Sequence, residues 1–177
     1  MLVLLVCCLI MYQGLRVNSV EFKDDLPISG TANVKGLKEY IDSKIQEDMD
    51  VQCSAGWLKY GGHCYFISKF ATTWSYSLVH CKRKGASLVK IDNAAENAWI
   101  ASKRGNVRYA WIGLFDRSKN NKWQWVSDRS PLTFTNWASG EPNNRKEACA
   151  EICMASSGGK WNDLLCSVRK QYICEKS

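Results

Sequence analysis

The sequence predicts an α+β domain stabilised by disulfides, and three observations carry that prediction. Two segments with helical periodicity stand among several short strand-like runs. Seven cysteines follow an apolar leader that itself holds Cys7 and Cys8, and so many thiols suit an oxidising compartment. A long aperiodic stretch lies between Asp128 and Trp161, where a compact domain usually carries function.

In chain order the first element is an apolar run, MLVLLVCCLIMY, from Met1 to Tyr12. It is too short to span a bilayer and suits the core of a secretory signal over residues 1–19, cleaved after Ser19. No positive charge precedes it, and an uncleaved anchor or a buried strand is the competing reading. Residues 20–52 form an acidic neck without Cys or Trp, with four Lys against eight acids. Leu37, Ile41, Ile45 and Met49 recur there at every fourth position, which predicts an amphipathic helix of about three turns. A helix this short is marginal alone. It either oligomerises the chain, packs on the domain that follows or serves as a stalk.

Residues 53–177 make the domain proper. TTWSYSLVHCKRKG predicts a helix with Trp74, Leu78 and Cys81 on one face and Gly85 at its stop. DNAAENAWIASKRG predicts a second, opened by Asp92 or Asn93 with Glu96 in the capping-box position and closed by Gly105. Strands are expected at CYFI, SLVKI, YAWIGL, KWQWV and QYICE. Nineteen Lys and Arg against nine acids give this domain a net charge of +10. Lys82, Arg83, Lys84, Lys103, Arg104 and Arg108 gather on or after the helices. They form a solvated face, or else a surface for sulfated glycans and anionic envelopes.

Several classes fall away. Twelve Gly and three Pro exclude a collagenous or Pro-rich scaffold, and the 23% charged content is too ordinary for a disordered tail. The absence of a second long apolar run excludes a multi-span membrane protein. His63 and His80 stand beside Cys64 and Cys81 without zinc-site spacing. No His-supported nucleophile is evident, so an enzyme is not expected, and nothing indicates a specific nucleic-acid partner.

Chemistry concentrates in the aperiodic stretch. Glu141-Pro142-Asn143 and Glu147 stand within it, and Trp161-Asn162-Asp163 closes it. Three carboxylates and two amides are hard oxygen donors of the kind calcium takes, six to eight at about 2.3–2.6 Å. The competing reading is a solvated loop, with Asn162 and Asp163 in an Asx turn or helix N-cap.

These motifs, in this order, resemble the C-type lectin domain family. The match runs from Cys53 to Cys174 through CSAGWLKYGGHCYFI, SLVKIDNAAENAWI, WIGL, NWASGEPNN, EACAEI, WNDLLC and QYICE. The resemblance implies a double-loop fold: two helices, two small antiparallel sheets and a long calcium-binding loop. It also selects the pairs Cys53–Cys64, as in the long form of the domain, Cys81–Cys174 and Cys149–Cys166. Cys153 is left over, either buried or bonded to a partner chain.

The resemblance maps one calcium and sugar site onto Glu141, Asn143, Glu147, Asn162 and Asp163, with Pro142 cis. Two adjacent sugar hydroxyls would join the calcium shell while the same carboxylates accept, and the same amides donate, hydrogen bonds. Glu-Pro-Asn is the version associated with mannose, GlcNAc and fucose, whereas Gln-Pro-Asp would invert donor and acceptor for galactose. Asp116 and Glu147 match an auxiliary calcium site, but Asn120, Asn144 and Ala148 depart from it, so a single calcium is expected. Trp57, Trp74, Trp99, Trp111, Trp123, Trp125 and Trp161 belong to framework motifs and are expected in the core. Trp137, just before the loop, either supports the site or packs with them. The expectation is a secreted, extracellular, calcium-dependent lectin for mannose-type glycans, acting in innate immune recognition and clustered through the neck helix or Cys153. The alternative is the same fold binding protein, mineral or anionic surfaces without calcium-dependent sugar chemistry.

Overall fold

The computed structural model describes residues 31–103, 105–155 and 158–177. The apolar leader with its cleavage point, the beginning of the neck and Arg104 of the basic face lie outside them. Helix α1 (Thr31–Asp50) is 20 residues long, more than the neck pattern predicts. Its first turn, Thr31 to Asn33, carries no apolar period and therefore gave no signal. Along the expected stripe Leu37 and Ile41 are half-buried, while Ile45 is 41% exposed, so the stripe is not sealed against the domain. No helix among the described residues is long and apolar enough to cross a membrane.

The domain follows as β1 (Leu58–Tyr60), β2 (His63–Ile67), α2 (Trp74–Arg83), β3 (Ser87–Leu88) and α3 (Ala94–Ser102). It continues with β4 (Tyr109–Phe115), β5 (Gln124–Trp125), β6 (Cys149–Cys153), β7 (Trp161–Leu164) and β8 (Gln171–Lys176). Both predicted helices form where their caps put them. Thr73 Oγ1 accepts from the Tyr76 amide, and Gly85 takes the left-handed φ of 67° past the end of α2. Asn93 is the N-cap of α3, accepting from the Glu96 amide at 2.9 Å, and Glu96 Oε2 in return accepts from Asp92 N. The reciprocal bond of the capping box thus falls one residue before the cap.

Two antiparallel ladders make up the sheet. One runs β1-β2-β8 with β3 beside β8, and the other runs β4-β6-β7 with β5 beside β4. A short parallel pairing of β4 with β8, Ala110 with Gln171 and Trp111 with Tyr172, makes the two continuous. Strand β4 is buried on both faces. Ala110, Ile112 and Leu114 enter one core cluster with Ile100, Ile152 and Trp161, while Trp111 enters another with Trp74 and Tyr172. That is the period-two alternation of a central strand. Gly113 is required there, since a Cβ would stand 2.7 Å from the Leu88 carbonyl oxygen.

The three expected disulfides form: Cys53–Cys64, Cys81–Cys174 and Cys149–Cys166. The second ties α2 to the last strand across 93 residues, a closure that chain-entropy arguments value at about 4–5 kcal/mol. Cys153 lies outside the three bridges at the end of β6 and is half-buried, between the two expected alternatives.

Candidate functional site

Strand β7 supplies the floor of the site. Its Trp161 is fully buried, edge-on to Trp125, Phe134 and Trp137, and donates from Nε1 to Asn97 Oδ1 at 2.7 Å. Asn97 in turn donates from Nδ2 to the Gly158 carbonyl at 2.8 Å. Trp137 pairs with Trp161 through the backbone and reaches Trp123 edge-on at 4.9 Å, so it packs and supports the site at once. This aromatic base fixes Asn162 and Asp163 at the strand's next two positions.

Asp163 is 1% exposed and gathers the long loop. Its Oδ1 accepts from Asn143 N at 3.3 Å and its Oδ2 from Asn144 N at 3.1 Å. The Glu141–Pro142 peptide is cis, and Asn143 Nδ2 donates back to Glu141 Oε1 at 2.9 Å. Asp163 and Asn162 therefore lie within a strand rather than in a turn or cap. On the neighbouring position Asn162 Nδ2 donates to Glu151 Oε1 at 3.3 Å across the β6–β7 ladder, which leaves its amide oxygen as an acceptor. Glu151 is buried and ion-paired to Lys170 at 2.9 Å.

The loop closes a cavity of about 160 Å³ whose wall includes Asp116, Asn121, Trp123, Asn143, Glu147 and Asp163. Glu141 and Asn162 are not part of that wall; the Asn143 bond and the strand connect them to it. Burial, then the adjacent Asp163 carboxylate, pushes the Glu141 carboxyl above the ordinary carboxylate range. Glu147 is raised in the same way, by burial first and Asp163 second. Glu141 Oε2 is buried without a hydrogen-bond partner. Acid thus faces acid, with an orphaned oxygen in their midst, and that donor set fits a hard cation. Among the described residues no three His, Cys, Asp or Glu side chains converge closely enough to hold a metal by themselves. The two amides would have to complete any oxygen shell.

Asp116, which matches an auxiliary site, and Asn120 and Asn144, which depart from it, all accept from backbone amides. Asp116 accepts from Ser118 N at 3.1 Å and Asn121 N at 2.6 Å, while Asn120 and Asn144 accept from the amides of Lys122 and Lys146. They serve as turn caps. Sequence reasoning missed two residues here. Trp123, expected in the core, is half-buried and lines the cavity, and its alternating motif gave no hint of this. Glu151 stood in a quoted motif without a role, because its partner Lys170 is distant in sequence.

The family model described as the lectin C-type domain matches residues 71–176. A human protein, C-type lectin domain family 17 member A, is 33% identical over 164 residues, 84% of this chain and 42% of its own length. The chain therefore spans under half of that relative. The C-type lectin domain of murine dendritic cell inhibitory receptor 2, solved in complex with N-glycan, is 32% identical. It superposes with a TM-score of 0.66 over 71% of this chain and 99% of its own. A calcium-independent type II antifreeze protein is 28% identical and superposes equally well, TM-score 0.66, over 71% of this chain and 95% of its own.

Proposed function

Given that the chain belongs to the C-type lectin domain family, we propose that it is a secreted, calcium-dependent lectin for mannose-type glycans. One observation carries this reading: Asp163 holds the amides of Asn143 and Asn144 beside the cis Glu141–Pro142 peptide, and Glu141 Oε2 is buried there without a partner. Glu141, Asn143, Glu147, Asn162 and Asp163 would hold a single calcium, which supplies open coordination positions for two adjacent sugar hydroxyls. The protein's own residues then read the sugar. Glu141 and Glu147 accept hydrogen bonds from those hydroxyls, and Asn143 and Asn162 donate with the amide N–H that Glu141 and Glu151 leave over. Asp163 orients the loop through the amides of Asn143 and Asn144. Glu151 acts as a positioning residue, holding the Asn162 amide in one orientation.

The murine neighbour, solved with an N-glycan, supports sugar binding on this fold. Three disulfides support an oxidising, extracellular destination and a role in recognition outside the cell. A single shallow contact is weak, and clustering through α1 would raise avidity. The reading is tested on immobilised mannose: retention in calcium and release by chelator are expected. Glu141→Gln combined with Asn143→Asp should shift preference toward galactose. The antifreeze neighbour favours one second reading, the same fold working without calcium. Retention on the ligand that is indifferent to chelator would select it.

A further inference from the structure

Several of the domain's cations are already engaged. Lys84, Lys103 and Lys176 sit over Phe66, Trp99 and Trp57, Lys170 pairs with Glu151, and Lys90 pairs with Asp92 and Asp128. Lys122 and Arg129 are set apart by sharing one groove. Both are exposed, neither side chain has a partner among the described residues, and both line one open groove of about 520 Å³. No acid lines that groove. The acid nearest in sequence, Asp128, is taken up by Lys90 Nζ at 2.8 Å and Ser130 N at 2.9 Å, which leaves the Arg129 charge uncompensated.

The groove is built rather than incidental. Gln124 bridges Pro131, Trp125 N donates to Ser130 O at 3.0 Å, and Arg129 N donates to Trp125 O at 2.9 Å. Those bonds pin the turn that presents Arg129, whose φ of 63° is left-handed. Lys122 is set by its own amide, which donates to Asn120 Oδ1 at 3.2 Å. The groove also adjoins the candidate site directly, because Asn121 and Trp123 line both cavities. Trp123 is held in place by Nε1 donating to Asn121 Oδ1 at 2.9 Å and by its edge-on contact with Trp137. Leu132 adds apolar wall on the groove side.

We propose that this groove is a second subsite, which takes an anionic group, sulfate ester or carboxylate, on the sugar next to the one bound at Glu141 and Asp163. The proposal rests on the lectin reading above and names its substrate class: acidic rather than neutral oligosaccharides. Trp123 and Leu132 supply the apolar surface on which a pyranose ring rests, while Lys122 and Arg129 meet its charge. Arg129 gives a planar fork suited to either oxyanion.

The test uses the whole chain in calcium at about 0.15 M salt, where charges beyond about 8 Å are screened. Three probes are compared: mannotriose, the same trisaccharide sulfated on its middle residue, and one with a hexuronate in the middle. At least one charged probe should bind about tenfold more tightly than mannotriose, and whichever gains identifies the anion. Lys122→Gln with Arg129→Gln should erase the gain and leave mannotriose binding as it was. Equal affinities for all three probes, or a gain that survives in the double variant, would overturn the subsite alone. Mannotriose failing to bind in calcium would overturn the lectin reading beneath it. Charged probes held as tightly in chelator as in calcium would overturn joint occupancy of the two cavities.

Discussion

In the framework around β2, α3 and β8, both carboxylate oxygens of Glu96 and of Glu175 have a partner; around the long loop, one oxygen of Glu141 has none. Glu96 accepts from Tyr65 Oη at 2.8 Å and Asp92 N at 2.9 Å, and Glu175 accepts from Lys90 N at 2.9 Å beside His63. Burial raises the carboxyls of both regions, but at the loop the Asp163 carboxylate adds to it and an oxygen of Glu141 stays unpartnered. The residue types are the same in both regions. What differs, on the reading proposed above, is where compensation comes from: within the chain in the framework, from a bound cation at the loop. Framework changes should therefore cost the same with or without calcium, and loop changes should matter chiefly when a cation is supplied.

The largest expected effect tests the framework side. Asn97→Ala removes the acceptor of the Trp161 indole and the donor to Gly158 and Gly159, the indole and Gly159 bonds being buried. At about 1 kcal/mol per lost bond, with the indole N–H left unsatisfied, the cost is about 3 kcal/mol. Urea unfolding in calcium and in chelator should give equal losses. A loss confined to one medium would show that the aromatic base and the site are not independent.

Next comes the loop. Calcium at about a hundred times its dissociation constant should stabilise the wild type by about 2.7 kcal/mol through mass action. Asp163→Asn should remove that increment and mannose binding together. In chelator it should differ from the wild type by no more than about 1 kcal/mol, because relief of repulsion on Glu141 and Glu147 offsets the acceptor lost to the Asn143 or Asn144 amide. A variant much weaker in chelator would mean that Asp163 serves chiefly to pin the loop.

The third effect is pH-dependent and belongs to the framework. Burial, the largest cause, raises the Glu96 carboxyl from 4.5 to about 7, with Glu175 and Asp92 adding to it and the bonds from Asp92 N and Tyr65 opposing it. A raised folded-state value means that the proton is bound more tightly in the folded chain. The associated stability is present below about pH 4.5 and is lost as pH rises through about 7. The loss is on the order of 2 kcal/mol, within the limit set by about 1.4 kcal/mol per unit. Glu96→Gln keeps an acceptor for Asp92 N and a partner for Tyr65, and it should abolish this slope. Urea midpoints at pH 5 and pH 8 that change in parallel for both proteins would contradict the assignment.

Legibility in the sequence followed local physics. Helices α2 and α3 were readable from caps and glycines because those signals act over a single turn. Strand β6 was hidden inside the aperiodic stretch because Cys149, Ala150, Glu151 and Ile152 are all buried, which erases alternation. Of SLVKI only Ser87 and Leu88 form a ladder strand, although Val89 still bonds to Ile173 and Gly113. At the site, residue chemistry picked out Glu141, Asn143, Glu147, Asn162 and Asp163 as oxygen donors, but which oxygens were already engaged was not readable. That Asp116 caps a turn, or that Glu151 holds Asn162, depends on partners brought together only by the fold.

The smallest expected effect lies at the seam between the two regions, where Lys90 of the framework meets Asp128 at the start of the groove turn. The Lys90 bond, then those from Ser130, hold the Asp128 carboxyl down from 3.8 to about 2. A depressed value stabilises the fold above about pH 3.8, and that stability is lost as pH falls through about 2. Converted directly, the shift would be worth more than 2 kcal/mol at about 1.4 kcal/mol per unit. Asp128 is 46% exposed, however, so water and salt screen the pair. Asp128→Asn should cost about 0.5 kcal/mol at low salt and still less at about 1 M, where the screening length falls to about 3 Å. A cost above about 1.5 kcal/mol that persists in salt would mean that the pair is stiffer and drier than its exposure allows. The seam would then transmit framework stability into the groove turn, and the two regions would have to be treated as one.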